Sequence, residues 1–302
     1  MKVLVIGLGS IGRRHCTVLK EINPSVEIYA LRSNENADEF ESVKNIYNLN
    51  EIKFTPDFFL ISSPTANHVS DIKQVIDLGR PMFIEKPISH DLEQATALFT
   101  EIEKKEILTY VGCNLRFHPC FEFLKQHLPS ESRINEVNIY CGTYLPEWRD
   151  GNNFKKRYSA HAEMGGGVHL DLIHEIDYTY WLFGKPDISK KLLSSSSTLK
   201  VSAIDYANYA LVYPNFVANI VLNYFRRDAK RTLEIVFEDK TWVADLLKNK
   251  ITEGDKIIFH KEIDQNYTYK KQVKYFLDCI QRGKSPMNSF KEALEVLKIC
   301  LG

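Results

Sequence analysis

The chain carries no surplus of either charge. Its 39 lysines and arginines are balanced by 39 aspartates and glutamates over 302 residues. A nucleic-acid surface needs a concentrated basic face, and none stands out. Arg13-Arg14 sits beside a glycine turn and reads as a solvated or phosphate-facing pair. Long apolar runs are also missing, and no stretch approaches the roughly 20 residues of a membrane span. The first apolar run, Val3 to Ile6, meets glycines where a secretory leader would continue, so no signal peptide is expected. The six cysteines form no CxxC pair and match no zinc template. The expectation is no metal and reduced thiols in a cytoplasmic protein.

What is present begins at residue 2. Lys2–Ile6 reads as a short buried strand running into Gly7-x-Gly9-x-x-Gly12 and then a helix over Ser10–Ile22. In this pattern Gly7 allows the turn off the strand. Gly9 lets a pyrophosphate approach the backbone, and Gly12 lets the helix pack close to the strand. The helix start, with Ser10 and Ile11, turns unpaired N–H groups toward the phosphates. A glycine triplet alone is weak, but strand before and helix after supply its context. A dinucleotide is therefore the expected ligand.

Strands and helices alternate through the first third, which predicts a doubly wound parallel sheet of the Rossmann type. Beyond residue 117 the pattern changes to helix, then several alternating strands, then helices over Tyr267–Arg282 and Phe290–Leu301. This predicts an α+β domain with a large, open, mostly antiparallel sheet. The expected division is 1–116 for dinucleotide binding and 117–302 for substrate binding and oligomerisation. Val168–Leu182 reads as one continuous helix.

An NAD site usually places an acid at the end of the second strand, where it bonds the ribose hydroxyls. Here Leu31, Arg32 and Ser33 stand there. Arg32 would pair a 2′-phosphate and Ser33 would donate to it, which favours NADP with NAD as the alternative. An exposed arginine on a loop is the other reading. The next strand end, Ser63-Pro64-Thr65, faces the crevice where α/β sheets bind ligands, and His68 either joins that lining or packs at the helix start.

Two segments carry proton chemistry. Glu85-Lys86-Pro87 ends a buried strand, and a lysine beside a cationic nicotinamide could hydrogen-bond a substrate hydroxyl or relay a proton. The alternative is a surface lysine. Gly165-Gly166-Gly167 opens the second segment, where Asp171 shares a helix face with His174 and Glu175. Histidine suits proton exchange with an alcohol or ketone near neutral pH. The alternative is that the two acids complement the helix dipole and His174 packs.

Taken together, these motifs resemble the Gfo/Idh/MocA oxidoreductases, relatives of glucose–fructose oxidoreductase and inositol dehydrogenase. Asn114-x-Arg116-Phe117-x-Pro119 is similar to the family's inter-domain segment, and Trp181 to Gly184 to the end of its catalytic helix. The resemblance implies a Rossmann domain, a C-terminal open-sheet domain and a nicotinamide cofactor. It implies Lys86 and His174 as the catalytic pair, with Asp171 positioning a substrate hydroxyl and a cis Lys86–Pro87 bond. Glu85, Lys86 and Arg116 join the cofactor set. The commoner family spacing is Asp-x-x-x-His, whereas Asp171 and His174 are separated by two residues. Counting back from Asp177 and Trp181 keeps His174 in register and displaces the acid, so Glu175 could share its role.

Tyr144, Trp148, Arg149, Arg157 and Tyr158 precede the glycine-led helix and are candidate substrate contacts alongside Lys86, Asp171 and His174. The arginines would suit a phosphate or carboxylate. This segment resembles a branch found near surface-polysaccharide sugar genes. The implied activity is hydride exchange with a ring carbon of a sugar or nucleotide-sugar. The alternatives are reduction of a non-sugar carbonyl, or a dinucleotide sensor without turnover. The resemblance also implies a homodimer or homotetramer formed through the C-terminal sheet.

Overall fold

The computed structural model describes the chain apart from residues 37, 129–130 and 149–152. It divides into two compact units, Met1–Asn114 with Gln265–Gly302, and Leu115–Asp264.

In the first unit, β1 (Lys2–Ile6), β2 (Glu27–Leu31), β3 (Val43–Ile46), β4 (Phe58–Ile61), β5 (Met82–Ile84) and β6 (Thr109–Val111) form one parallel sheet. Its order, β3-β2-β1-β4-β5-β6, is the doubly wound one. The chain reverses direction across the sheet between β1 and β4, where such folds bind ligands. Helices α1 (Ser10–Ile22), α2 (His68–Val75) and α3 (Leu92–Lys104) make the crossovers. Central strands are apolar throughout because both faces are covered: Val3, Leu4, Val5, Phe59 and Ile61 are fully buried.

The second unit holds α4 (Pro119–His127), β7 (Ile134–Tyr144), α5 (Val168–Asp171) and α6 (His174–Phe183). These are followed by β8 (Ile188–Ser194), β9 (Tyr206–Val212), β10 (Val217–Asn223) and β11 (Phe225–Phe237). Then come β12 (Thr241–Asp245), β13 (Lys250–Glu253) and β14 (Lys256–His260). The eight strands run β14-β13-β12-β11-β7-β10-β9-β8, antiparallel except where β10 joins β7.

The final helices, α7 (Tyr267–Arg282) and α8 (Phe290–Leu301), correct the expected division. They belong to the first unit, not the second, with α7 against α1 and α8 against α3. The physical reason is a set of hydrogen bonds to β6. Val111 N–H donates to Asn288 O at 2.8 Å, the Asn288 amide donates back to Val111 O at 2.9 Å, and Phe290 N–H donates to Thr109 Oγ1 at 3.0 Å.

The single helix expected over Val168–Leu182 is also corrected. α5 ends at Asp171, α6 starts at His174, and Leu172 lies between them at φ −102° and ψ 32°. Here Ile173 N–H reaches Leu170 O and Glu175 N–H reaches Leu172 O, three-residue bonds that tighten the turn. The break falls between the two residues whose spacing departs from the family's. Asp171 and His174 therefore do not share one helix face.

Candidate active site

The glycine loop is built as its spacing requires. Gly7 has φ +93°, and a Cβ there would lie 2.2 Å from Ser63 N. A Cβ on Gly12 would lie 2.3 Å from Gly7 O, so helix and loop touch backbone to backbone. At Gly9 a Cβ would meet nothing within 4 Å. That open side and the uncapped start of α1, where Gly9 offers no side chain to the first-turn N–H groups, form a cradle suited to a pyrophosphate. Ser62, unremarked in the sequence, steadies the loop by donating from Oγ to Gly7 O at 2.7 Å.

A cleft of about 470 Å³ runs from this loop along the sheet edge, lined by Gly7, Leu31, Arg32, Ser33, Ser63 and Pro64, together with Tyr47 and Asp71. Three segments singled out in the sequence, the glycine turn, Leu31–Ser33 and Ser63-Pro64, thus meet in one cavity, while Tyr47 and Asp71 were not anticipated. Among the described residues the Arg32 guanidinium makes two long contacts, 3.4 Å to Asp38 O and 3.4 Å to Asn45 Oδ1. The hydroxyl of Ser63 donates to Asp71 Oδ2 at 2.5 Å. Burial raises the Asp71 carboxyl above its ordinary range, and the Ser63 bond opposes that. Thr65 is buried and begins a short 3₁₀ turn.

Two residues expected to line the cofactor turn inward instead. His68 is 1% exposed, with Nδ1 2.9 Å from Pro87 O and Nε2 2.9 Å from Ser63 O. Burial lowers its pKa. Glu85 is likewise buried, and its Oε1 lies 2.5 Å from His15 Nε2. Lys86 follows at the end of β5, and the Lys86–Pro87 bond is cis.

In the second unit Asp171 is 6% exposed and accepts two tyrosine hydroxyls, Tyr158 at 3.0 Å on Oδ1 and Tyr224 at 2.5 Å on Oδ2. Burial, then the Asp171 charge, pushes the Tyr224 phenol well above its ordinary value, so it stays a donor. Trp148 packs edge-on against Tyr224, centroids 5.2 Å apart, and donates from Nε1 to Thr143. Tyr224 was missed in the sequence. It follows β10 with no local signal beyond an aromatic at a strand end. Tyr144 accepts from Arg227 Nη2 at 3.0 Å, under a guanidinium 4.2 Å from its ring. Arg157 precedes Tyr158 in a half-buried loop, and Arg149 lies outside the described residues.

His174 heads α6 and is 9% exposed. The next acids on that helix are committed elsewhere. Glu175 is fully buried and paired with Arg231, Nε to Oε1 at 2.6 Å. Asp177 accepts Nε and Nη2 of the buried Arg116 at 2.9 and 2.7 Å. Arg116 thus forms a buried two-point ion pair.

Two family models now match this chain. The oxidoreductase family's NAD-binding Rossmann fold covers residues 1–113, and the same family's C-terminal alpha/beta domain covers residues 131–300. The chain belongs to this oxidoreductase family. Among curated relatives it is 24% identical to glucose-6-phosphate 3-dehydrogenase of Bacillus subtilis (strain 168), over 74% of this chain and 66% of that protein. It is 24% identical to UDP-N-acetylglucosamine 3-dehydrogenase of Acidithiobacillus ferrooxidans, over 83% of this chain and 76% of that protein. Among solved structures, levoglucosan dehydrogenase in complex with NADH superposes with a TM-score of 0.86 at 17% identity, covering 99% of this chain and 95% of that one. No helix among the described residues is long and apolar enough to cross a membrane.

Proposed function

We propose that this family member is an NAD(P)-dependent dehydrogenase or reductase of a sugar or nucleotide-sugar, acting at a ring carbon that bears a secondary alcohol or ketone. The observation that carries the reading is Lys86, set at a strand end in the same unit as an open glycine cradle. Bound in that cradle, the nicotinamide supplies a two-electron carrier that exchanges hydride with the substrate carbon.

The residues would divide the remaining work. Gly7, Gly9, Ser10, Ile11 and Gly12 hold the pyrophosphate through backbone N–H groups. His174 would exchange a substrate hydroxyl proton, and Lys86 would hydrogen-bond a substrate oxygen. Asp171, fixed by Tyr158 and Tyr224, accepts from a neighbouring sugar hydroxyl. The aromatic and basic segment around Tyr144, Trp148 and Arg157 contacts the rest of the substrate. The glucose-6-phosphate and UDP-sugar relatives support an anionic sugar, and a place in surface-polysaccharide synthesis is part of the reading.

Arg32 favours NADP over NAD, since the cleft at the end of β2 presents a cation where an NAD site places an acid. A homodimer or homotetramer through the C-terminal sheet is supported by exposed Leu192 and Ile257 on its edge strands, 63% and 56% accessible.

The test is turnover. Purified protein with NADP⁺ is offered glucose 6-phosphate, UDP-N-acetylglucosamine and myo-inositol, and reduced nicotinamide is followed by absorbance. Oxidation of at least one, lost about 100-fold or more in Lys86→Met, is expected. Tight cofactor binding without turnover, and full biological activity in Lys86→Met, would leave the sensing reading instead.

A further inference from the structure

Two buried histidines grip the residues on either side of Lys86, and neither belongs to the chemistry assigned above. His15 lies on α1, one turn beyond Gly12, and is 1% exposed. Its ring is wedged edge-on between Phe83 and Tyr269, with centroids 4.8 and 5.8 Å away. Nε2 lies 2.5 Å from Glu85 Oε1, while Nδ1 is buried with no hydrogen-bond partner among the described residues. An imidazolium would bury a second N–H without an acceptor, which costs more than leaving a lone pair idle. The buried geometry thus favours an N–H on Nε2, donated to Glu85 Oε1.

The fold makes room for this pair. A Cβ on Gly112 would lie 2.9 Å from Glu85 Oε1, so the glycine leaves the space the carboxylate fills. Glu85 N–H is in turn held by Ile61 O at 2.8 Å. On the far side of Lys86, the His68 ring is wedged between Pro87 O and Ser63 O, 2.9 Å from each, with one N–H to donate to one of them when neutral, and Ser63 is a wall of the cofactor cleft. The helix that begins at the phosphate cradle thus reaches Glu85 through His15. The opposite wall reaches Pro87 through His68.

We propose that His15 and His68 are positioning residues that clasp the Glu85-Lys86-Pro87 turn to two walls of the cofactor cleft, so that filling the cleft sets the orientation of the Lys86 amine. The proposal rests on Lys86 being catalytic. It predicts that cutting either link uncouples the lysine from the cofactor without emptying the cleft.

The lysines are reductively methylated with a ¹³C label, and the Lys86 resonance is assigned by its absence in Lys86→Met. Saturating NADP⁺ is expected to move that resonance in the wild type and in Glu85→Gln, whose amide oxygen still accepts from His15. In His15→Phe, His68→Phe and Glu85→Leu the movement should fall by more than half. NADPH titration by fluorescence should give Kd within about threefold of wild type in all of them, and turnover should fall about tenfold or more only in the uncoupled variants.

A full resonance shift in His15→Phe, a wild-type resonance indifferent to NADP⁺, or a turnover loss that merely follows lost NADPH affinity would each overturn the clasp. If His15→Phe does not fold by circular dichroism, the contrast between Glu85→Gln and Glu85→Leu decides alone. Wild-type turnover in Lys86→Met would instead remove the catalytic lysine and the clasp's purpose together. An inactive Lys86→Met beside a fully coupled His15→Phe removes only the clasp.

Discussion

Glu175 and Arg231 form a two-point ion pair between α6 and β11, Nε to Oε1 at 2.6 Å and Nη2 to Oε2 at 3.1 Å, with the carboxylate fully buried. One residue before it stands His174, and two residues after it Asp177 is held the same way by Arg116. The helix that begins at His174 is thus bolted to its own unit by two guanidinium forks. Breaking one leaves a charge in low dielectric. Arg231→Met should therefore cost about 3–5 kcal/mol in urea unfolding. The double variant Glu175→Leu, Arg231→Met should recover most of that, because no buried charge remains. A single variant as stable as wild type would count against this account.

The glycine loop separates folding from binding. Gly9 has ordinary extended angles, φ −79° and ψ −166°, and open space beyond it. Gly9→Ala should keep or slightly raise the melting temperature yet weaken NADPH by about tenfold or more, since the methyl stands where phosphate approaches. Gly12→Ala meets the Gly7 carbonyl and must move backbone, so it should lose about 1–3 kcal/mol of stability. Calorimetry and fluorescence titration on both variants check the split. Equal effects from the two glycines would contradict it.

Much of this was legible because its physics is local. Buried parallel strands are apolar runs, as Phe58–Ile61 shows, and α7 and α8 carry a clear apolar stripe. What periodicity lacks is a destination. It shows that α7 and α8 form, not that Asn288 sews them to β6. Edge strand β8 escaped because its residues are mostly exposed on both faces, leaving no alternation to read. The site divides in the same way. Gly7, Arg32 and Pro64 announce themselves by position after strands. Tyr224 meets Asp171 across 53 residues and His15 meets Glu85 across 70, and only the folded chain makes those pairs.

Arg32 is the proposed determinant of cofactor choice. The residue lines the cleft and its guanidinium makes two 3.4 Å contacts among the described residues, so a 2′-phosphate would gain a strong partner at little cost to the fold. NADPH should bind more tightly than NADH. Arg32→Asp should weaken NADPH about 10- to 100-fold while leaving NADH within a few-fold, as expected for a hydrogen bond to a charged group. Fluorescence titration of both cofactors reads this directly. Equal or tighter NADH binding in the wild type would refute the phosphate reading.

Tyr224 fixes Asp171 rather than reacting. Removing its hydroxyl leaves Asp171 Oδ2 buried without that 2.5 Å donor, while Tyr158 still holds Oδ1. Tyr224→Phe should lower kcat/KM for the sugar by about 10- to 100-fold, through the lost donor that fixes the carboxylate. Cofactor Kd should not change. A loss confined to NADPH binding would assign the tyrosine elsewhere.

His169 sets an acid limit on stability. Burial lowers its pKa from 6.5 to about 4, with Asp171 opposing and Lys191 assisting. The unfolded chain therefore binds a proton at this residue before the folded one does. Its contribution is complete above 6.5, declines as pH falls toward about 4, and is gone below that. Across the window it amounts to about 3 kcal/mol. Burial moves His68 in the same direction, so a residual slope should persist when His169 is replaced. Urea midpoints measured at successive pH values should fall on acidification in the wild type and fall less steeply in His169→Gln. Parallel profiles for the two proteins would show that His169 is not a source of the acid sensitivity.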